Sequence, residues 1–485
     1  MLLFLSLAWA EPADAPLDAM FERLLYDEGL QVLGSPGSQD FDRLGAFSRV
    51  NELEMSPALA LRLDAAWMTA LQREGDDDGI RWAVREWGSV AAGALAPINV
   101  LGDDPGLGAL RGGVDFWAQS DHVELRLRPE IRLDVGCEVD TVCGQAPLTE
   151  AVLGFRWKGF GLKLGMEQRS AGPGARGHLI LGQDIRPWPA ATLAYAQDSK
   201  IGQVSGEWGL GWLPGERSDV LNPGLQHMDF RWSPAAWLEL GFTRATLFAG
   251  NDRPWPSFLE LLVPIAPHVS GDPDKIKADS NEIAAVDIRF NLPLWGVFNR
   301  LSLWYEYGGE DMIMREIGPI PVPSLAGPGN LAGAELSAGD WSFTLERALL
   351  LDDTFRWYTG HRVYHEGFVR DGHFIGHPHG GDADSWWLSA AWYGLPLGAE
   401  IFHERLRRVG VVESNPDGVF SLLSDELSWR AGGRVWLLPL KGTAIGAGGH
   451  WGVGYSVGHV QSENFVPGQD EWRHRAWIEF SRAGL

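Results

Sequence analysis

Residues 122–134 read His-Val-Glu-Leu-Arg-Leu-Arg-Pro-Glu-Ile-Arg-Leu-Asp. Val123, Leu125, Leu127, Ile131 and Leu133, with Pro129 among them, fall on one parity; His122, Glu124, Arg126, Arg128, Glu130, Arg132 and Asp134 fall on the other. Side chains alternate across a strand, so one face is apolar and the other densely charged. Strands in soluble sheets usually run about five or six residues, and this one is more than twice that. A tilted membrane strand with lipid on one side and a polar interior on the other needs this length and this pattern.

The two-residue period returns along the chain. Phe160, Leu162, Leu164 and Met166 alternate with Gly161, Lys163, Gly165 and Glu167. Val286, Ile288 and Phe290 alternate with Asp287, Arg289 and Asn291; Leu301, Leu303, Tyr305 and Tyr307 alternate with Ser302, Trp304, Glu306 and Gly308. Near the end, Ala476, Ile478 and Phe480 oppose Arg475, Trp477 and Glu479. Arg244 interrupts one such run by sharing the parity of Leu238, Leu240 and Phe242, which a bulge or a strand end would resolve. About 385 residues follow position 100, and roughly 20 per strand and connection predicts about 16–20 strands, with an even count expected of a bacterial barrel. The 24 Trp against 8 Tyr, with 61 Gly, fit interfacial rings and tight turns in such a barrel. No run after residue 10 approaches the ~18 apolar residues of a transmembrane helix. No 20–50-residue repeat of a solenoid or propeller is visible.

The N-terminal part reads differently. Residues 1–10, with Leu2 to Ala8 apolar and Ala8-Trp9-Ala10 as a cleavage signal, read as a signal peptide. Residues 17–96 have helical spacing: Leu59, Leu63, Trp67 and Leu71 recur every fourth residue after the Ser56-Pro57 start, and Ile80, Val84 and Trp87 suggest a further helix. This predicts a helical domain over 11–100, ahead of a barrel over 101–485. Cys137 and Cys143, the only cysteines, are expected to pair in an oxidising compartment.

The charge and motifs narrow the function. A net charge of −24 excludes a general nucleic-acid binder, which needs a basic footprint. Gly454-Tyr455-Ser456-Val457-Gly458 matches the spacing of a serine-hydrolase elbow, but that motif needs a strand–turn–helix and its surroundings here are strand-like. His361, His365, His373, His377 and His379 lie among glycines that oppose a helix, so they read as a loop-borne polar cluster and not as a metal site. Arg186-Pro187-Trp188 and Asp252-Arg253-Pro254-Trp255 each set a flat ring beside polar groups at a proline-flanked loop. Such a ring covers the C–H face of a sugar while guanidinium and carboxylate groups bond the hydroxyls. The candidate ligand-binding residues are therefore Arg186, Trp188, Asp252, Arg253 and Trp255, with His373 and His377 from the histidine segment; no catalytic or metal-binding residue and no cofactor is expected.

At these segments the chain resembles the Wzi family of outer-membrane capsule-assembly proteins. The resemblance is carried by Gly172-Pro173-Gly174 through Asp184-Ile185-Arg186-Pro187-Trp188-Pro189, by 238–244 with 250–254, by 305–311, and by the Tyr/Gly-rich stretch 364–384 with Ile375 in a Leu position. The motifs occur in order over roughly 20–485. The resemblance implies an all-β barrel of 18 antiparallel strands in the outer membrane, above an N-terminal periplasmic α-helical bundle. It also implies a lectin role in holding capsular polysaccharide at the cell surface. The expected partners are surface polysaccharide and outer-membrane lipid, for a monomeric protein. The rivals are a sugar-permeable porin of the same architecture and an outer-membrane hydrolase.

Overall fold

The structure is a computed structural model that describes most of residues 81–484. Residues 1–80, 93–107, 256–279 and 438–448, and shorter stretches such as 136–141, 183–186 and 352–356, lie outside the described residues. The expected helices before position 80, and Cys137 of the expected disulfide, fall among these.

Most of the described residues lie in strands. In chain order they are β1 (Arg81–Ala92), β2 (Gly108–Gln119), β3 (Val123–Val135), β4 (Val142–Gln145), β5 (Leu148–Trp157), β6 (Phe160–Glu167), β7 (Trp188–Ser199), β8 (Gly202–Trp212), β9 (Gly224–Ala235), β10 (Leu238–Phe248), β11 (Asn281–Pro293) and β12 (Arg300–Ile317). There follow β13 (Ile320–Ala338), β14 (Trp341–Leu349), β15 (Val369–Arg370), β16 (His373–Phe374), β17 (Ala383–Trp392), β18 (Leu397–Arg408), β19 (Val411–Ser414), β20 (Val419–Leu422), β21 (Glu426–Leu437), β22 (Gly449–Gln461) and β23 (Glu471–Gly484). Nineteen of these form one sheet. Its pairings are antiparallel, mostly between neighbours in the chain, and β1 pairs with both β2 and β23. The sheet is therefore closed. β4 and β5 both lie against β3 and share one place in the circuit, so nineteen strands occupy eighteen places.

The closing strand corrects one reading. Residues 81–92 were expected to be helical from the spacing of Ile80, Val84 and Trp87, and they form β1. The barrel sheet thus begins at Arg81, ahead of the expected start at 101. The same residues also carry a two-residue period, with Trp82, Val84 and Val90 on one parity. Pairing to strands on both sides satisfies their backbone in a way that an isolated helical turn could not.

The two ends of the barrel differ. At one end several connections are tight: 158–159, 200–201, 236–237 and 339–340 are each two residues between strands. At 158–159 both residues have positive φ, Lys158 at 48° and Gly159 at 82°, the conformation of a type I′ hairpin turn. The first residue of β1 and the last of β23 also lie at this end. At the other end the chain runs 168–187, 213–223, 249–280 and 350–382 between strands.

The alternation resolves into faces as expected. Phe160, Leu164, Val286, Leu303 and Ile478 are exposed on the outer wall, and Lys163, Asp287, Glu306 and Arg475 are buried inside. Inside the wall, Arg231 bonds Asp287 Oδ1 through Nη1 at 2.6 Å and Asp229 Oδ1 through Nη2 at 2.9 Å, and the Thr243 hydroxyl donates to Asp229 at 3.0 Å. Arg244 keeps the parity that looked anomalous and pairs with Glu282 at 2.7 Å; the register shift in this hairpin lies at Leu238/Leu240 instead. Because every inner carboxylate and guanidinium of this kind is sheltered by a closed wall, the barrel is expected to resist detergent. Unheated protein in SDS should migrate faster than boiled protein and should fractionate with the outer membrane. Recovery as a soluble monomer without detergent would contradict this fold.

Candidate functional site

The interior at the long-loop end is an apolar core. Leu225 of β9, Ala245 and Leu247 of β10, Ile283 and Ala285 of β11, Trp304 of β12, Leu331 of β13 and Ala348 of β14 pack with Leu179, Ile180 and Leu181 from loop 168–187 and with Trp357, Tyr358, Tyr364, Phe368 and Ile375 from loop 350–382. Two loops thus fold inward and bury their apolar runs against the inner wall. This explains why the run Leu179-Ile180-Leu181 does not alternate: it belongs to a core and not to a two-faced strand.

The loop backbone needs partners in this setting, because an unpaired buried amide costs about 1–3 kcal/mol. Inner-wall carboxylates supply several. Glu346 of β14 accepts from the Ala175 amide at 2.6 Å, the Arg176 amide at 3.0 Å and the Trp304 indole N–H at 3.0 Å. Glu306 of β12 accepts from the Leu179 amide at 3.1 Å. The two loops also bond each other. The Tyr358 hydroxyl donates to the Leu179 carbonyl at 2.6 Å and accepts from the His377 amide at 2.9 Å, and the Gly182 amide donates to the Ile375 carbonyl at 2.6 Å. The packing is too close for a side chain at Gly376, where a Cβ would lie 2.4 Å from both the Leu179 carbonyl oxygen and the Tyr358 hydroxyl. Gly172 has a φ of +144°, and a Cβ there would meet His178 Nδ1 at 2.6 Å.

A third loop joins from 213–223. Arg217 forms a two-pronged pair with Asp219, both contacts at 2.9 Å, and donates to the Val369 and Gly367 carbonyls at 2.8 and 3.0 Å. Asp219 also accepts from the Glu366 amide at 2.9 Å. Burial pushes the Asp219 carboxyl up, but the bonds from Arg217 and from the Val220 and Glu366 amides outweigh it and hold the carboxyl below its usual range. From 249 onward a fourth loop is tied by the Tyr364 hydroxyl donating to the Ala249 carbonyl at 2.9 Å.

The comparisons with known proteins bear on this architecture. The family described as capsule assembly protein Wzi matches residues 111–397. The chain belongs to the Wzi family. Among solved structures, the Escherichia coli outer-membrane protein Wzi, described as a carbohydrate-binding β-barrel involved in group 1 capsule assembly, matches with a TM-score of 0.63 at 16% identity. The match covers 98% of this chain and 99% of that one. The Pseudomonas aeruginosa barrels OccK3 and OccK5 match with TM-scores of 0.49 and 0.48 at 11% and 12% identity. They cover 86% and 84% of this chain, and 99% and 98% of their own. No curated protein sequence matches. As a member of the Wzi family, the chain is an outer-membrane barrel, and its long-loop end faces outward by the usual asymmetry of short periplasmic turns and long external loops.

The residues singled out from the sequence of this Wzi-family chain separate into three groups. Trp188 is 0% exposed: it opens β7, with the Arg169 guanidinium 5.0 Å from its ring and His227 edge-on at 5.8 Å. A ring so enclosed has no face for a sugar, and its reading as a surface stacking residue is corrected; the proline-flanked segment turns inward because its apolar side completes the core. His373 and His377 are likewise buried, inside the plug and not on an open loop. Trp255, in contrast, is 63% exposed, against Phe248 at 5.3 Å, and the neighbouring Arg253 guanidinium lies 5.6 Å over the Tyr364 ring. Arg186 and Asp252 lie outside the described residues. The elbow-like Gly454-Tyr455-Ser456-Val457-Gly458 is continuous strand within β22. Sequence reading missed Glu346, Tyr358, Arg217 and Asp219 as organisers of the site. Glu346 looks like any other inward charge of an alternating strand, and nothing local shows which loop amides it will meet.

Four histidines, His178, His373, His377 and His379, are buried in the plug. His379 Nε2 sits 3.0 Å from Glu404 Oε1, with the His377 ring 5.1 Å away. His178 Nδ1 accepts from the Gly174 amide at 3.2 Å, which requires an unprotonated Nδ1. Burial first, then Arg231 and Arg289, lowers the His178 pKa from 6.5 to about 3; burial also holds His377 and His379 below the ordinary value. Below about pH 6.5 an unfolded chain takes up protons that these rings refuse, so the plug loses stability as pH falls and is fully stabilised above that value. The melting temperature in detergent should drop between about pH 7 and about pH 4, and His178→Asn, whose Oδ1 still accepts the Gly174 amide, should flatten part of that drop. An unchanged slope in the variant would exclude His178 as a source. Independently, Glu346→Ala should cost about 2–3 kcal/mol of plug stability and produce more frequent openings in planar-bilayer recordings than the parent protein shows. Equal conductance would show that Glu346 does not hold the plug.

Proposed function

We propose that this protein is a closed, carbohydrate-binding barrel that captures surface polysaccharide at its outward loop face and helps assemble it on the cell, without catalysing a reaction. The observation that carries the reading is the plug. Loop 350–382 is bonded to loops 168–187 and 213–223, inner-wall carboxylates hold the first two, and together they turn the outward end of the barrel from a mouth into a surface. A sugar-permeable porin needs a continuous lumen, and the interlocked loops favour the binding reading over it. Membership of the Wzi family and the carbohydrate binding described for the Escherichia coli protein point the same way.

Trp255 is the ring best placed to stack on a sugar, and Arg253 beside it offers a planar fork of donors for hydroxyl or carboxylate groups. With a net charge of −24, general attraction cannot hold an acidic polymer, so binding rests on stacking and hydrogen bonds. It should therefore weaken only modestly as salt rises. Trp255→Ala should reduce cell-bound polysaccharide and raise the amount shed to the medium, with barrel abundance unchanged. Trp188→Ala should act through the core instead, lowering stability by about 3–5 kcal/mol and with it the amount of barrel recovered. If Trp255→Ala combined with Arg253→Ala leaves retention at the parental level, this loop is not the glycan site.

A further inference from the structure

The outer wall carries a second feature that glycan capture does not use. Along β18 the outward positions read, from the short-turn end upward, Leu397, Ala399, Ile401, His403, Arg405 and Arg407. Ile401 is 67% exposed on the barrel's lipid-facing side, and His403, Arg405 and Arg407 are also exposed. One strand face thus passes from aliphatic to basic as it approaches the loop end.

The sheet register extends this change across six strands. Arg347 of β14 pairs with Trp386 of β17, Trp386 with Arg405 of β18, Arg405 with Trp429 of β21, Trp429 with His459 of β22, and His459 with Trp472 of β23. Arginine or histidine therefore alternates with tryptophan along a single row. The row four residues nearer the short-turn end is apolar apart from a tyrosine: Phe343, Ala390, Ile401, Gly433, Tyr455 and Ala476 stand opposite one another. Between the two rows run Leu345, Leu388, His403, Ala431, Val457 and His474. The upper row sits where a lipid-facing belt gives way to head groups, the depth at which Trp rings settle in membrane barrels.

Its cations are built for an anion. The Arg347 guanidinium lies 4.9 Å over the Trp386 ring. It bonds Asp384 through Nε and Nη2 at 2.9 and 3.0 Å, which orients the fork and leaves the Nη1 hydrogens for a ligand. Arg407 pairs with Asp425 at 2.7 Å. Arg405, level with Arg347 and two residues before Arg407 on β18, makes no ion pair among the described residues. Strands are about 4.8 Å apart, so Arg347 and Arg405 stand roughly 10 Å from each other. In a chain this acidic overall, an outward row of arginines is not explained by solubility.

We propose that this row is a docking surface for an outer-leaflet glycolipid whose sugar head carries phosphate, with Arg347 and Arg405 receiving phosphate groups, the Trp386 and Trp429 rings lying against the sugars, and the acyl chains running down the wall across the row that holds Phe343 and Ile401. The proposal rests on the membrane placement of the barrel and not on the glycan-binding reading of the loops. Arginine forks suit phosphate because they donate paired, charge-assisted hydrogen bonds.

The test uses the full-length protein purified in detergent and stripped of lipid. Binding of a bisphosphorylated acylated glucosamine disaccharide is compared with binding of its dephosphorylated counterpart, by native mass spectrometry and by titration. The parent protein should prefer the phosphorylated lipid by about tenfold or more, with the preference shrinking as salt rises. Arg347→Gln with Arg405→Gln should abolish the preference, and Arg347→Lys with Arg405→Lys should keep part of it. Trp255→Ala should leave it intact, so that failure of the loop reading and failure of this one are told apart. Equal binding of both lipids by the parent protein, a measurement that needs no variant to fold, would overturn the proposal. So would an undiminished preference in the Gln variant, or saturable capture of inorganic phosphate as tight as that of the lipid.

Discussion

A chain inside a hydrocarbon layer has no water to satisfy its backbone, and the rest of this structure follows from that constraint. Each N–H and C=O must find a partner within the protein, and a sheet does so only when its first and last strands meet. Here they meet through nine paired positions between β1 and β23, from Val84 with Gly484 to Ala92 with Ala476. Closure divides every strand into a face that meets lipid and a face that meets the interior. The interior then has to be filled or wet. Toward the loop end this chain fills it with its own loops.

That filling sets a second problem, since loop backbone brought indoors carries amides with no strand to pair with. The inward carboxylates answer it. Glu346 takes two loop amides and an indole, and Glu306 takes a third amide, while Tyr358 bridges the two loops through one hydroxyl that both donates and accepts. Side chains that would line a water-filled channel in a porin serve here as capping groups for a plug. The same exchange accounts for the buried histidines: an acceptor nitrogen such as His178 Nδ1 pairs a loop amide without adding a charge to a dry interior. The outward end thereby becomes a surface able to present Trp255, while the wall beneath it remains free to engage the membrane.

The barrel was legible because its signal is local and repeated. Alternation over 122–134 or 286–291 needs only a count of residues, and the eighteen places in the circuit agree with the count implied by the family resemblance. Residues 81–92 misled because Ile80, Val84 and Trp87 satisfy a helical period while Trp82, Val84 and Val90 satisfy a strand period; only the partners on either side decide between them. The candidate site was less legible. Trp188 and Trp255 look alike in sequence, each a tryptophan after Arg-Pro in a proline-flanked loop. One is walled in by Arg169 and His227, and the other stands open beside Phe248.

The sequence by itself determined which residues face lipid and which face inward, because the strand period binds side-chain direction to position along the chain. It also determined that the acidic surplus would not be a general grip on anions. Only the tertiary structure decided that loops 168–187 and 350–382 descend into the barrel, that Glu346 and Glu306 hold them, and that Arg347, Trp386, Arg405, Trp429, His459 and Trp472 form one row. Those facts depend on contacts such as that of Tyr358 with Leu179, 179 residues away in the chain, and on register around the sheet, and register is set by closure of the whole sheet, which no local stretch of sequence encodes.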